Sequence, residues 1–178
     1  MFMDDIMVFD RALSEQELGD IYSDEDDYSQ IAWWPLHMDG KDQIDDANGL
    51  LKNETTFPED VETGLVAEFD GVNDHIEVPH RLQLALGRDN KPFSMSLWVK
   101  LLEDATGSER DLIHKGTTNN ERMLLLRLNP NDNRIQFRMT TTLSFGQGGT
   151  SNNALQVGKW THLTYVYDGT DLKLYIDG

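Results

Sequence analysis

The stretch Val157-Gly-Lys-Trp-Thr-His-Leu-Thr-Tyr-Val-Tyr-Asp-Gly-Thr-Asp-Leu-Lys-Leu-Tyr-Ile-Asp-Gly178 decides the fold. From Trp160 to Tyr167 apolar and polar residues nearly alternate. Asp168-Gly-Thr-Asp171 supplies turn chemistry, and Leu172 to Ile176 alternates again. The pattern predicts a β-hairpin with one buried face. A lone hairpin is not stable in water, so the rest of the chain must supply more sheet. Phe93 to Lys100, Met123 to Leu128 and Arg134 to Thr140 are strand-length runs of aromatic and aliphatic residues separated by Gly, Asn, Asp and Thr. On Phe93 to Lys100 the alternation puts Phe93, Met95, Leu97 and Val99 on one side and Ser94, Ser96, Trp98 and Lys100 on the other. Trp98 is then either a core residue of a strand covered on both faces or an aromatic platform on an open one.

Composition narrows the class. A chain of 178 residues and 20.3 kDa holds one domain with a sizeable core, with room for a tail but not for a second full domain. A net charge of -17 makes the surface repel phosphate, which argues against nucleic acid and anionic membrane as partners. Thirty-two carboxylates serve solubility, and a subset of them could collect a divalent cation. The absence of cysteine excludes disulfides and thiolate metal sites. No apolar run approaches the roughly 18 residues of a membrane span, and no basic-then-apolar leader opens the chain.

Residues 1–22 do not resemble the start of a domain. Ile6 to Phe9 is a short strand, and Ser14-Glu-Gln-Glu17 is a capping box that starts a helical turn over Glu15 to Ile21. Residues 23–30 are acidic with little to bury, and are expected to be a linker. The main domain, 31–178, opens with Ile31-Ala-Trp-Trp-Pro-Leu-His37, an edge strand or strand end because Pro35 cannot donate to a ladder. The polar loop Met38 to Gly49 lacks the glycine and acid spacing of an EF-hand. Leu65 to Phe69 and His75 to Val78 read as short strands around Asp70 and Asp74, residues that commonly bond nearby turn amides. A helical turn is expected at Leu82 to Leu86, a strand at Asp111 to Lys115, another across Thr140 to Phe145, and a flexible loop from Gly146 to Asn153. Short strands at regular spacing with almost no helix predict an all-β, antiparallel sandwich.

Five pieces in order carry a resemblance: Ala32-Trp-Trp-Pro-Leu36, Glu68-Phe-Asp-Gly-Val-Asn-Asp-His-Ile-Glu-Val-Pro79, Phe93-Ser-Met-Ser-Leu-Trp-Val99, Ile113-His-Lys-Gly116, and Gly158 to Gly169 with Leu174-Tyr-Ile-Asp-Gly178. The chain resembles the laminin-G-like, concanavalin A-like jelly rolls of bacterial tandem-repeat proteins over about Ile31 to Gly178. Domains of that type continue beyond the Tyr-Ile-Asp-Gly position and close with a strand, an Arg-Ala-Leu-Ser sequence and a short helix. Here the similar piece stands in front, as Met3-Asp-Asp-Ile-Met-Val-Phe-Asp-Arg-Ala-Leu-Ser-Glu-Gln-Glu-Leu18. The expectation is therefore the tail of one repeat followed by an incomplete next one. The leading strand would pair beside the first strand of the main domain, as a circular permutation would place it.

The resemblance implies a module of a longer extracellular or cell-surface protein, non-catalytic, binding a glycan or an extracellular protein and flanked by neighbouring repeats. A structural spacer is the alternative. A glycoside hydrolase is the third reading, but no strand carries a run of acids such as Glu-x-Asp-x-x-Glu, nor is a nucleophile elbow or HExxH found. Trp98, Arg127, Arg138, Gln147 and Asn152 are the candidate ligand contacts, since rings stack on sugar faces while Arg, Asn and Gln bond hydroxyls. The resemblance further implies a structural Ca2+ held by Asp4 or Asp5, Asp39, and Asp70 with the Gly71 carbonyl.

Overall fold

A computed structural model describes residues 1–22, 30–116, 124–141 and 146–178. Their strands are β1 (Phe2–Phe9), β2 (Ala32–Trp34), β3 (Leu50–Lys52), β4 (Glu59–Asp60), β5 (Gly64–Leu65), β6 (Ala67–Glu68), β7 (His75–Glu77), β8 (Phe93–Lys100), β9 (Arg110–Lys115), β10 (Leu124–Leu128), β11 (Arg134–Met139), β12 (Gln147–Ala154), β13 (Trp160–Tyr167) and β14 (Leu172–Ile176). One helix, α1 (Glu15–Tyr22), follows β1.

Two antiparallel sheets face each other. The larger runs β14-β13-β8-β1-β2, with β6 also on β1, and the smaller runs β12-β11-β10-β9. Period-2 alternation explains how they meet. Phe93, Met95, Leu97 and Val99 of β8 and Leu163, Tyr165 and Tyr167 of β13 share one buried cluster with Leu124, Leu126, Leu128, Ile135 and Met139 of the smaller sheet. Tyr165, fully buried, donates its hydroxyl to the Arg138 carbonyl at 3.0 Å, so its one polar atom is satisfied inside the core.

β1 lies inside the larger sheet. Ile6 to Val8 pair with Trp34 to Ala32 on one side, and Phe2 to Phe9 pair with Lys100 to Ser94 on the other. The leading strand thus completes the sheet that the rest of the chain begins. The capping box holds as the sequence predicts: the Ser14 amide donates to Glu17 at 2.8 Å, and the Glu17 amide reaches the Ser14 hydroxyl at 3.4 Å. From there Leu18 and Ile21 of α1, with Leu13, cover Phe9 and Val166 on the sheet's outer face, forming a second small core. Ser94, buried beneath this segment, donates to the Arg11 carbonyl and accepts from the Leu13 amide, both at 2.9 Å.

The structure corrects the reading of Gly146 to Asn153. It is the edge strand β12, and it reads as a loop because only Ser151 of its eight residues is buried, so no apolar alternation marks it. Leu65 to Phe69 is two short strands instead of one, and the helical turn shortens to a 3-10 turn at Leu82–Leu84. The acidic linker, apart from Gln30, and most of the strand expected across Thr140 to Phe145 fall outside the described residues.

Candidate functional site

Three groups converge on the outer face of the larger sheet. Asp4 pairs with Trp98 across the β1–β8 ladder, and a register shift between Asp4 and Met7 bulges β1 there. Asp5 takes a left-handed backbone, φ 45°, which re-aims it. Its carboxylate accepts the Trp33 indole N–H at 2.8 Å, and His37 Nε2 lies 3.6 Å from Asp4 Oδ1. The ligating atoms of Asp4, Asp5 and His37 all lie within 4.8 Å of one another. Burial first, and the Asp5 charge second, push the Asp4 carboxyl up to about 7.

Trp98 is half-buried beside this cluster and stacks on Tyr22 of α1 at 5.4 Å between ring centroids, with His162 at 4.9 Å on its other side. It is neither a core residue nor a bare platform, because the last residue of α1 covers it. Burial pushes the His162 imidazole down to about 4, with Asp177 opposing. Further along the face, Asp60 of β4 accepts from Lys100 Nζ at 2.8 Å and from the Trp160 indole at 3.0 Å. Burial opposes the Asp60 charge, but these hydrogen bonds outweigh it and hold the carboxyl at about 2.

The expected calcium set is not assembled. Asp4 and Asp5 come together, whereas Asp39 accepts from the Lys41 amide and ion-pairs with Lys41 Nζ at 2.9 Å. Asp70 accepts from the amides of Val72, Asn73 and Asp74, and Gly71 belongs to that same turn beside Arg110. Calcium asks for six to eight oxygens. The cluster offers two carboxylates and an imidazole, a set short of oxygens and mixed in donor type. His37, the third member, stands three residues beyond the end of β2, and its only mark in the sequence is its place at the end of the Ile31 to His37 stretch.

The ligand candidates divide between opposite sides of the sandwich. Trp98 stands on the outer face of the larger sheet. Arg127 and Arg138 stand on the outer face of the smaller one, as their alternation with the core residues Leu126 and Leu128 of β10 and Ile135 and Met139 of β11 shows. Arg127 is bonded to Asp111 and Glu109, its Nη2 lying 3.2 Å from Asp111 Oδ2. Arg138 pairs across the ladder with Gly148, whose φ is 139° and where a Cβ would meet the Phe137 carbonyl oxygen at 2.0 Å. Glycine is required there, so no side chain flanks Arg138 from β12. Asn152 is exposed on that edge strand. Gln147 is turned away, donating to the Thr170 carbonyl at 2.6 Å and tying β12 to the β13–β14 turn. Asp42, unnoticed in the sequence, organises the loop after β2 by accepting from the amides of Trp33, Ile44, Asp45 and Ala47.

No curated protein and no solved structure matches the chain. A family model described as concanavalin A-like lectin/glucanases superfamily, Laminin_G_3, matches residues 70–178, more than half of the chain, from the Asp70 turn to the end of the closing hairpin. With two antiparallel sheets packed across one core, the chain belongs to this laminin-G-like family of the concanavalin A-like superfamily.

Proposed function

We propose that the domain is a non-catalytic carbohydrate-binding or adhesion module of a larger extracellular protein, with the outer face of the smaller sheet as its ligand surface. The observation that carries the choice of face is the polar row across β10 to β12. Gln136 lies between Arg127 and Thr150 in the ladder, and Arg138 lies beside it between Leu125 and Gly148. Guanidinium, amide and hydroxyl groups on a rigid sheet suit the spaced hydroxyls of a glycan. The Arg127 pairing with Asp111 and Glu109 supports a second reading, a protein-interaction or spacer repeat, because that cation is already satisfied within the sheet. Neighbouring repeats of a longer protein are proposed contacts in both readings.

A glycan array followed by titration of the best binder tests the choice of face. Gln136→Ala combined with Arg138→Ala is expected to weaken binding by about tenfold or more, the range for losing one or two hydrogen bonds to a charged or polar group. Unfolding temperature should stay nearly constant, because both side chains are on the outer face. Unchanged affinity would move the site elsewhere, and binding of no glycan at all would favour the spacer. Calcium is a proposal attached to the same module: Asp4 and Asp5 would hold it, weakly, with water completing the shell.

A further inference from the structure

The β4–β5 hairpin forms a separate two-stranded ribbon. From it Asp60 reaches Lys100 of β8, 40 residues along the chain, and Lys100 Nζ lies 2.8 Å from Asp60 Oδ2. Both side chains are buried, Lys100 being 12 % and Asp60 6 % exposed, and the ammonium stands 5.8 Å from the centre of the Trp160 ring. Burying an ion pair is costly. The same burial holds an amine against a carboxyl group with little water to compete for either.

The neighbours of this pair are those that acyl transfer requires. Asp60 Oδ1 accepts two N–H groups, the Trp160 indole and the Glu62 backbone amide, both at 3.0 Å. They converge on the oxygen that turns negative when a nucleophile adds to the carboxyl carbon. Glu62 Oε2 lies 3.2 Å from Lys100 Nζ, within reach to take a proton from that nitrogen. A simple ion pair needs only Lys100 and Asp60. Nucleophile, carboxyl carbon, paired oxyanion donors and base around one centre make a reactive set.

We propose that Lys100 and Asp60 join covalently, forming an intramolecular amide that staples the β4–β5 hairpin to β8. At rest the pair is ionised, so one proton first crosses from Nζ to Oδ2 along their hydrogen bond. The neutral amine then adds to the Asp60 carboxyl carbon, and the carbonyl electron pair moves onto Oδ1, where the Trp160 and Glu62 N–H groups hold it. Glu62 removes a second proton from the nitrogen and passes it to Oδ2. Oδ2 leaves as water while Oδ1 re-forms the carbonyl. One C–N bond is made, one C–O bond is broken, and no oxidant or other reagent is consumed. Because the ionised pair is the unreactive form, the closure is slow and happens once per chain. In a sequence without cysteine it bridges 40 residues as a disulfide would. It uses neither the polar row of the smaller sheet nor the Asp4 cluster, so it stands independently of the glycan reading.

Intact mass spectrometry tests it on the full chain, held at neutral pH for several days and then denatured. The expected mass is one water below that of the sequence, with the tryptic peptides containing Asp60 and Lys100 recovered as one branched species. Lys100→Arg keeps the charge and should keep the full mass. Asp60→Asn should form the same amide with loss of ammonia instead of water, which identifies the electrophile. Glu62→Gln, at an exposed side chain, should slow closure by about a hundredfold. A chain of full mass that still melts cooperatively would overturn the staple and leave an ion pair. Loss of one water in Lys100→Arg as well would also overturn it, tracing the loss to succinimide formation at an Asp-Gly step such as Asp70-Gly71.

Discussion

Trp98 has Asp4 beside it on β1 and His162 beside it on β13, so two groups with opposite titration behaviour flank one ring. Asp4 titrates at about 7 in the fold, against 3.8 as its ordinary value. The folded state therefore holds the proton more tightly, and this group's contribution to stability is greatest at low pH and declines as pH rises from about 4 to 7. His162 titrates at about 4, against 6.5. The unfolded state then binds more protons, so its contribution is present above about 6.5 and is lost as pH falls toward 4. Over the shared window the slopes oppose, and the parent chain is expected to be nearly flat. In chelator, Asp4→Asn should expose a stability that falls by on the order of 1–3 kcal/mol on acidification, after allowance for solvent screening. His162→Gln should expose the opposite slope. Denaturant midpoints at half-unit pH steps check both, and two variants with parallel profiles would show that burial does not shift these groups. Neither behaviour was legible in the sequence, because each arises from neighbours brought by other strands. The Asp168 turn was legible, since the Asp168 carboxylate accepts from the amides of Thr170 and Asp171, only two and three residues away.

The same division governs the elements. The β13–β14 hairpin and the two sides of β8 could be read from alternation, because each strand puts one face into the core shared by the sheets. The α1 start could be read from Ser14 and Glu17, which interact within one turn. β12 could not, being an exposed edge, and of the calcium residues that the resemblance implies Asp4 and Asp5 lie together, while Asp39 and Asp70 accept from amides of their own turns. What β1 and α1 do for the rest follows from their ladders. β1 is hydrogen-bonded to β2, β6 and β8, and Leu18 is 1 % exposed against Phe9 and Val166. Leu18→Ala is expected to cost about 2–4 kcal/mol, the range for emptying a well-packed leucine site. Removing residues 1–22 should abolish cooperative unfolding altogether, since β8 and β2 would lose the strand between them. Thermal melts followed by near-ultraviolet circular dichroism measure both, and a cooperative melt from the truncated chain would show that the leading strand is dispensable.

For the whole molecule the dominant field is the net charge of -17. Self-repulsion of that size destabilises a compact state, so any divalent cation should raise the unfolding temperature by screening alone, and a rise in calcium is not by itself a site. Magnesium at equal ionic strength supplies the control, because it screens alike but demands tighter octahedral geometry. With two carboxylates of the expected set together, calcium is expected to exceed magnesium by no more than about 2 °C at millimolar concentration, which for a domain of this size corresponds to about 0.5–1 kcal/mol. Asp5→Asn should remove whatever difference exists, as Asp5 is the less buried of the pair and already accepts from Trp33. A calcium-specific rise of many degrees, lost in Asp5→Asn, would mean that ion binding redraws the turns at Asp39 and Asp70 and gathers their oxygens. The bulge in β1 would then be the nucleus of a calcium centre, and the exposed His37 its displaced neighbour.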